Sequence, residues 1–203
     1  MPAKLDLKKD LKHLYNPSAK GISVVTVPAM NFLMIDGMGD PNTSLEFADA
    51  MQTLFPLAYS IKFAIKKETG QDFAVMPPEG LWWSDDTEDF LQGRKDNWHW
   101  TVMIAQPDFV KKSDFVAALD AVKKKGKAPA VDKVRFERYD EGDSVQILHI
   151  GPFVTEHDNI LKLHDFIRSS GHQLHGKHHE IYLSDFRRVA PEKLKTVIRQ
   201  PFC

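Results

Sequence analysis

Cysteine is nearly absent from this chain: of 203 residues only the last, Cys203, carries a thiol. An intrachain disulfide is excluded, so the fold must rest on packing and hydrogen bonds. Such usage suits a reducing cytoplasm, which is the expected location. A surplus of one charge is also lacking. Twenty-seven basic residues face 28 acidic ones, a formal net charge of −1, so no basic face points to nucleic acid or an anionic membrane. No run of about 18 apolar residues exists for a membrane span. The opening residues, Met1-Pro2-Ala3-Lys4-Leu5-Asp6-Leu7-Lys8-Lys9, lack the apolar core of a signal peptide. Gly37-Met38-Gly39 is missing the rest of a nucleotide-binding glycine pattern. What is present is an ordinary globular composition, 42% hydrophobic, enough for a sizeable core in one large domain, the expectation over 1–203, or in two small repeated ones.

The most informative stretch is His178-His179-Glu180-Ile181-Tyr182-Leu183-Ser184-Asp185. Read as a β-strand, it places His178, Glu180, Tyr182 and Ser184 on one face and His179, Ile181, Leu183 and Asp185 on the other. An acid and a phenol then stand side by side. Tryptophan is concentrated in two earlier stretches, Leu81-Trp82-Trp83 and Trp98-His99-Trp100. Trp98 and Trp100 share a strand face; Trp82 and Trp83 point oppositely, so one of that pair serves a pocket and the other the core or rim. The expected site is an aromatic pocket with one carboxylate at its floor. Glu79, beside the first tryptophans, is a further candidate. Histidines 172, 175, 178 and 179 are dense but offer one strand pair rather than a converging ligand set, so no metal is expected.

Along the chain, 5–15 reads as a short charged helix ended by Asn16-Pro17. Residues 22–28 and 32–36 read as strands. Thr43 or Ser44 is suited to cap a helix whose apolar stripe runs Leu45, Ala48, Met51, Phe55, Ala58, Phe63. Pro56 is expected to kink or break it, and Gly70 to close it. Residues 73–83 form a strand interrupted by Pro77-Pro78, which suits an edge or bend. An acidic loop at 84–96 leads to a strand at 98–105 and a helix at 113–125. A linker covers 126–132. Strands at 134–139 and 144–150 flank the turn Asp140-Glu141-Gly142-Asp143. A helix at 155–170, the His178 strand and a last helical turn at 191–197 complete the chain. Strand, glycine, loop, helix, strand occurs twice, with a first repeat over about 20–110 and a second over about 133–203. That order predicts an α+β fold of two strand-helix-strand-strand units related by a pseudo-twofold, with helices on antiparallel sheet and a ligand cleft at the repeat interface; an unrelated α+β fold is the alternative.

Four stretches resemble the GyrI-like small-molecule-binding family in its stand-alone long branch. They are Ile35-Asp36-Gly37-Met38-Gly39-Asp40-Pro41, Pro78-Glu79-Gly80-Leu81-Trp82-Trp83, Trp98-His99-Trp100-Thr101 and His178–Asp185, continued by Pro191-Glu192-Lys193-Leu194-Lys195-Thr196. The resemblance covers nearly the whole chain and implies the SHS2 dyad of multidrug-binding effector domains. In the regulators of that family a last-strand glutamate meets cationic drugs, and Glu180 matches it. Some stand-alone members hydrolyse the strained cyclopropane of DNA-alkylating natural products. The resemblance therefore implies a small hydrophobic or cationic aromatic ligand as partner. Glu180 would serve as general acid/base and Tyr182 as polarising phenol, with Trp82, Trp83, Trp98, Trp100, Glu79 and His178 binding the ligand. No cofactor is expected, since ring strain supplies the driving force. The segment ahead of the first strand is too short for a helix-turn-helix, so direct nucleic-acid binding is not expected. A non-catalytic ligand sensor or sink, and a protein-interaction module such as a gyrase modulator, are the alternatives.

Overall fold

The computed structural model describes residues 4–86, 92 and 94–203. Part of the expected acidic loop, residues 87–91 and 93, lies outside the described residues. The strand-helix-strand-strand order is present twice. The first pass is β2 (Met30–Met38), α3 (Leu45–Thr69), β3 (Pro78–Trp83) and β4 (His99–Gln106). The second is β6 (Gly142–Ile150), α5 (His157–Ser169), β7 (His178–Tyr182) and β8 (Lys195–Pro201). Each pass is preceded by one further strand, β1 (Ser23–Val27) and β5 (Arg135–Tyr139), and α4 (Lys112–Lys125) lies between the passes. The fold is α+β, and β1–β6, β6–β8, β8–β7, β4–β2 and β2–β5 all pair antiparallel.

The chain divides into two compact units. Among the described residues the first holds 4–7, 30–78, 82–86, 92 and 94–139; the second holds 8–29, 79–81 and 140–203. Chain order and unit membership differ: β1 sits in the second unit and β5 in the first.

In the first unit β2 is central, paired with β4 and β5, so that Leu33 lies opposite both Ile104 and Phe136. Helix α3 starts at Ser44, whose hydroxyl accepts from the Phe47 amide, and closes at Gly70 with φ of +76°, a conformation glycine adopts without a Cβ clash. It runs unbroken for 25 residues, through Pro56. Proline removes the bond to the Gln52 carbonyl, but Pro56 and Gln52 are both exposed, where water can satisfy the freed acceptor. The expected apolar stripe is displaced. Leu54, Leu57, Ala58 and Ile61 are fully buried, whereas Phe63 is 58% exposed and stacks on Tyr59. Helix α4 packs Phe115 flat against Phe136 of β5, with ring centroids 5.7 Å apart. Strand β3 begins at Pro78, the position in a strand where a missing N–H costs least.

In the second unit the strand order is β1–β6–β8–β7, followed by Glu79–Leu81 of β3. Helix α5 buries Leu163 and Ile167 on Val145, Ile147 and Ile198; full burial of such a side chain stabilises by about 1.5–3 kcal/mol. The expected N-terminal helix is two short turns, α1 (Leu7–Asp10) and α2 (Lys12–Tyr15). The tail differs more. Only Pro191–Lys193 is helical, and Lys195–Pro201 is a full strand between β6 and β7. Its Thr-Val-Ile run favours the pleat, and Pro201 tolerates the strand because it ends it.

Candidate functional site

Strand β7 carries two unlike polar constellations, one on each face, both within the second unit. On the face shared with α5, Glu180 is bound through both oxygens. The Tyr182 phenol donates to Oε2 at 2.8 Å, and Nε2 of His178 lies 3.2 Å from Oε1. The alternation of the strand produces this arrangement directly, since residues two apart share a face. The Glu180 side chain keeps 15% of its surface accessible while that of His178 keeps 4%, so the carboxylate is the reachable member of the pair. Phe153, 41% exposed, meets the Tyr182 ring edge-on at 5.7 Å. Val154 beside it is 84% exposed. An acid and a phenol thus sit at an apolar, solvent-facing rim. His164 of α5 is buried on this side; burial, then the neighbouring His178, lowers its pKa to about 4 and keeps the ring neutral.

On the opposite face His179, Arg199 and Gln146 form one row across β7, β8 and β6. Nδ1 of His179 lies 2.9 Å from Glu141 Oε1, and Nε2 lies 3.0 Å from Glu79 Oε2. Tyr15 donates to the other Glu79 oxygen at 3.0 Å. Arg199 donates to Glu141 Oε2, Gln146 Oε1 and the Leu14 carbonyl at 2.9, 3.0 and 2.9 Å. The network is closed: Glu79 is 1% exposed, His179 1% and Arg199 2%. Burial opposes the His179 charge, but Glu141 and Glu79 override it and push the pKa up to about 9. Burial likewise opposes the Glu141 charge, and His179 with Arg199 pulls its pKa down to about 2. Burial and the Glu79 carboxylate raise the Tyr15 phenol well above its ordinary value.

The first unit holds the tryptophans. Trp82 packs on Trp98 and Phe47 at 5.9 and 5.7 Å, and Phe47 meets Trp100 edge-on at 5.2 Å. Trp100 is fully buried and lies across Gly37, its partner in β2, where any Cβ would overlap its ring. Trp83 points the other way and stacks on His99 at 5.5 Å, whose Nε2 is 3.2 Å from Asp85. Trp82 and Trp100 are therefore core residues, and Trp83 and Trp98 are half-buried.

Of the expected site residues, the structure brings Glu180, Tyr182 and His178 together. Glu79 instead joins the closed network behind them, with both oxygens occupied. Sequence reasoning missed His179 as a charged core residue, together with Glu141, Arg199 and Tyr15. Glu141 is hidden in what reads as a polar turn, and its partner His179 is 38 residues away. Among the described residues no group of three or more His, Cys, Asp or Glu side chains could hold a metal ion, and no helix is long and apolar enough to cross a membrane.

A conserved protein of Listeria innocua is 38% identical over 98% of this chain and all of its own, with a TM-score of 0.88. A second structure, of a hydrolase from Listeria innocua, is 38% identical over 98% of this chain and all of its own, with a TM-score of 0.85. The EcmrR C-terminal domain, 12% identical over 90% of this chain and 97% of its own, has a TM-score of 0.58 and shares the fold. No curated protein matches. The pattern of the GyrI-like small molecule binding domain spans residues 21–202, and the chain belongs to that family.

Proposed function

We propose that the protein binds planar, hydrophobic xenobiotics and hydrolyses those bearing an electrophilic cyclopropane, with Glu180 as general acid/base and Tyr182 as the phenol that polarises the conjugated carbonyl. The observation that carries this reading is the Glu180 carboxylate at an open apolar rim, held from both sides by Tyr182 and His178. A carboxylate so fixed can accept a proton from water without first losing side-chain freedom. The solved hydrolase of similar sequence supports hydrolysis as the reaction class.

In the proposed step, the oxygen of water bonds to a ring carbon as one cyclopropane C–C bond breaks. The released electron pair passes through the dienone to its oxygen. The water proton goes to Glu180, and returns from there to the new phenolate. The sum is addition of one water. Ring strain and aromatisation drive it, and no oxidant or cofactor enters.

The test mixes the chain with a cyclopropane-bearing dienone and follows chromophore loss alongside tryptophan fluorescence. Glu180→Gln should keep ligand quenching and lose on the order of 10²–10⁴-fold in turnover, the usual contribution of a positioned acid or base. Unchanged turnover in that variant rules out the mechanism. Quenching with intact ligand in the wild-type chain selects the sensor or sink.

A further inference from the structure

The hydroxyl of Thr196 is fully buried and has no hydrogen-bond partner among the described residues. Such a placement is unfavourable unless a partner arrives at some stage of function. Its position in the sheet is specific. Thr196 of β8 lies directly opposite Tyr182 of β7 on one side and His149 of β6 on the other. Directly opposed residues in antiparallel strands share a face. Thr196 therefore stands on the Glu180 face, one strand away from the Tyr182 phenol. Neither neighbour uses its hydroxyl. His149 is engaged by Asn159 at 3.0 Å through Nδ1 and by Thr155 at 3.2 Å through Nε2, and the Tyr182 phenol donates to Glu180. As mere filling for a central strand, valine would serve better, since it leaves no polar atom stranded.

We propose that Thr196 is a second hydroxyl donor of the Glu180 site, acting with Tyr182 on the ligand oxygen where negative charge develops. This assignment rests on the hydrolytic reading above. A phenol can donate one hydrogen bond, while an oxygen gaining a full electron pair is held best by two or more preorganised donors. Tyr182 and Thr196 are donors on adjacent strands at the same level of one sheet face. When Tyr182 exchanges Glu180 for the ligand carbonyl, it brings that oxygen toward the neighbouring strand. There the idle Thr196 hydroxyl acquires its acceptor, and Glu180 is released to take the proton of water.

The test compares Thr196→Val and Thr196→Ser with the wild-type chain, using the cyclopropane-bearing dienone. The valine variant should unfold at the wild-type temperature or above it, because its lost hydroxyl satisfies nothing in the free chain. Its kcat should fall on the order of 10²-fold, with affinity for the intact ligand little changed. Serine restores the hydroxyl and should restore most of the rate. Wild-type turnover in the valine variant overturns the assignment, as does a lowered unfolding temperature with unchanged kcat, which marks a packing residue only. Failure of the wild-type chain to open the ring overturns the hydrolytic reading, and this assignment with it.

Discussion

His179 has a carboxylate oxygen at each ring nitrogen, 2.9 and 3.0 Å away. An acceptor on both sides requires a donor on both sides, so the ring is the imidazolium. Because its pKa rises on folding from 6.5 to about 9, the stability it contributes is complete below pH 6.5 and is lost as pH climbs through about 9. Glu141 has the opposite sign. Its pKa drops from 4.5 to about 2, so its contribution is present above pH 4.5 and disappears as pH falls toward 2. Urea titrations should therefore show a plateau between these limits and a decline on either side; stability still rising from pH 7 to 9 would contradict the assignment. Replacing His179 by Gln leaves two buried carboxylates short of a counter-charge and should cost about 3–5 kcal/mol, read from the same titrations. The two faces of β7 differ in how far the sequence disclosed them. The Glu180–Tyr182 pair is a direct result of alternation. The His179 row is not, because its partners Glu141 and Glu79 lie 38 and 100 residues away and become neighbours only when β3, β7 and the β5–β6 turn are in place.

Local rules read element by element succeed where the deciding contact is itself local, as at the Ser44 cap and the Gly70 stop. They fail where solvent or a distant strand decides. Pro56 leaves α3 intact because its face is exposed, which makes it a removable defect. Pro56→Ala should restore the bond to the Gln52 carbonyl and raise stability by about 1–3 kcal/mol by chemical denaturation. Gly37 is the reverse case. Its missing Cβ is filled by the indole of Trp100 from the paired strand, an aromatic lying over a strand glycine. Gly37→Ala should displace that ring at a cost of about 1–3 kcal/mol, with altered near-ultraviolet circular dichroism as the local readout. Strand β8 reads as a helical turn in the sequence because Pro191-Glu192-Lys193 is a sound helix start. Nothing local shows that β6 and β7 flank residues 195–201 on either side.

For the whole molecule, the membership of β1 and β5 matters most. Residues 8–29 belong with 140–203, and β5 belongs with β2. A cut within 126–132 therefore separates no complete unit. The N-terminal piece keeps β1 without β6 and loses β5; the C-terminal piece loses β1, Tyr15 and Glu79. Each fragment alone should lack native circular dichroism, and an equimolar mixture should recover it; independent folding of either piece would refute this. A chain that writes the same order of elements twice also risks seating a strand in the wrong copy. In the first pass β3 (Pro78–Trp83) holds the place that β7 holds in the second, and β3 carries no histidine. Were β3 docked in place of β7, Glu141 and Arg199 would be buried with no imidazolium beside them. The buried ionic row is thus an address label: it admits one strand, in one register, and turns the others away.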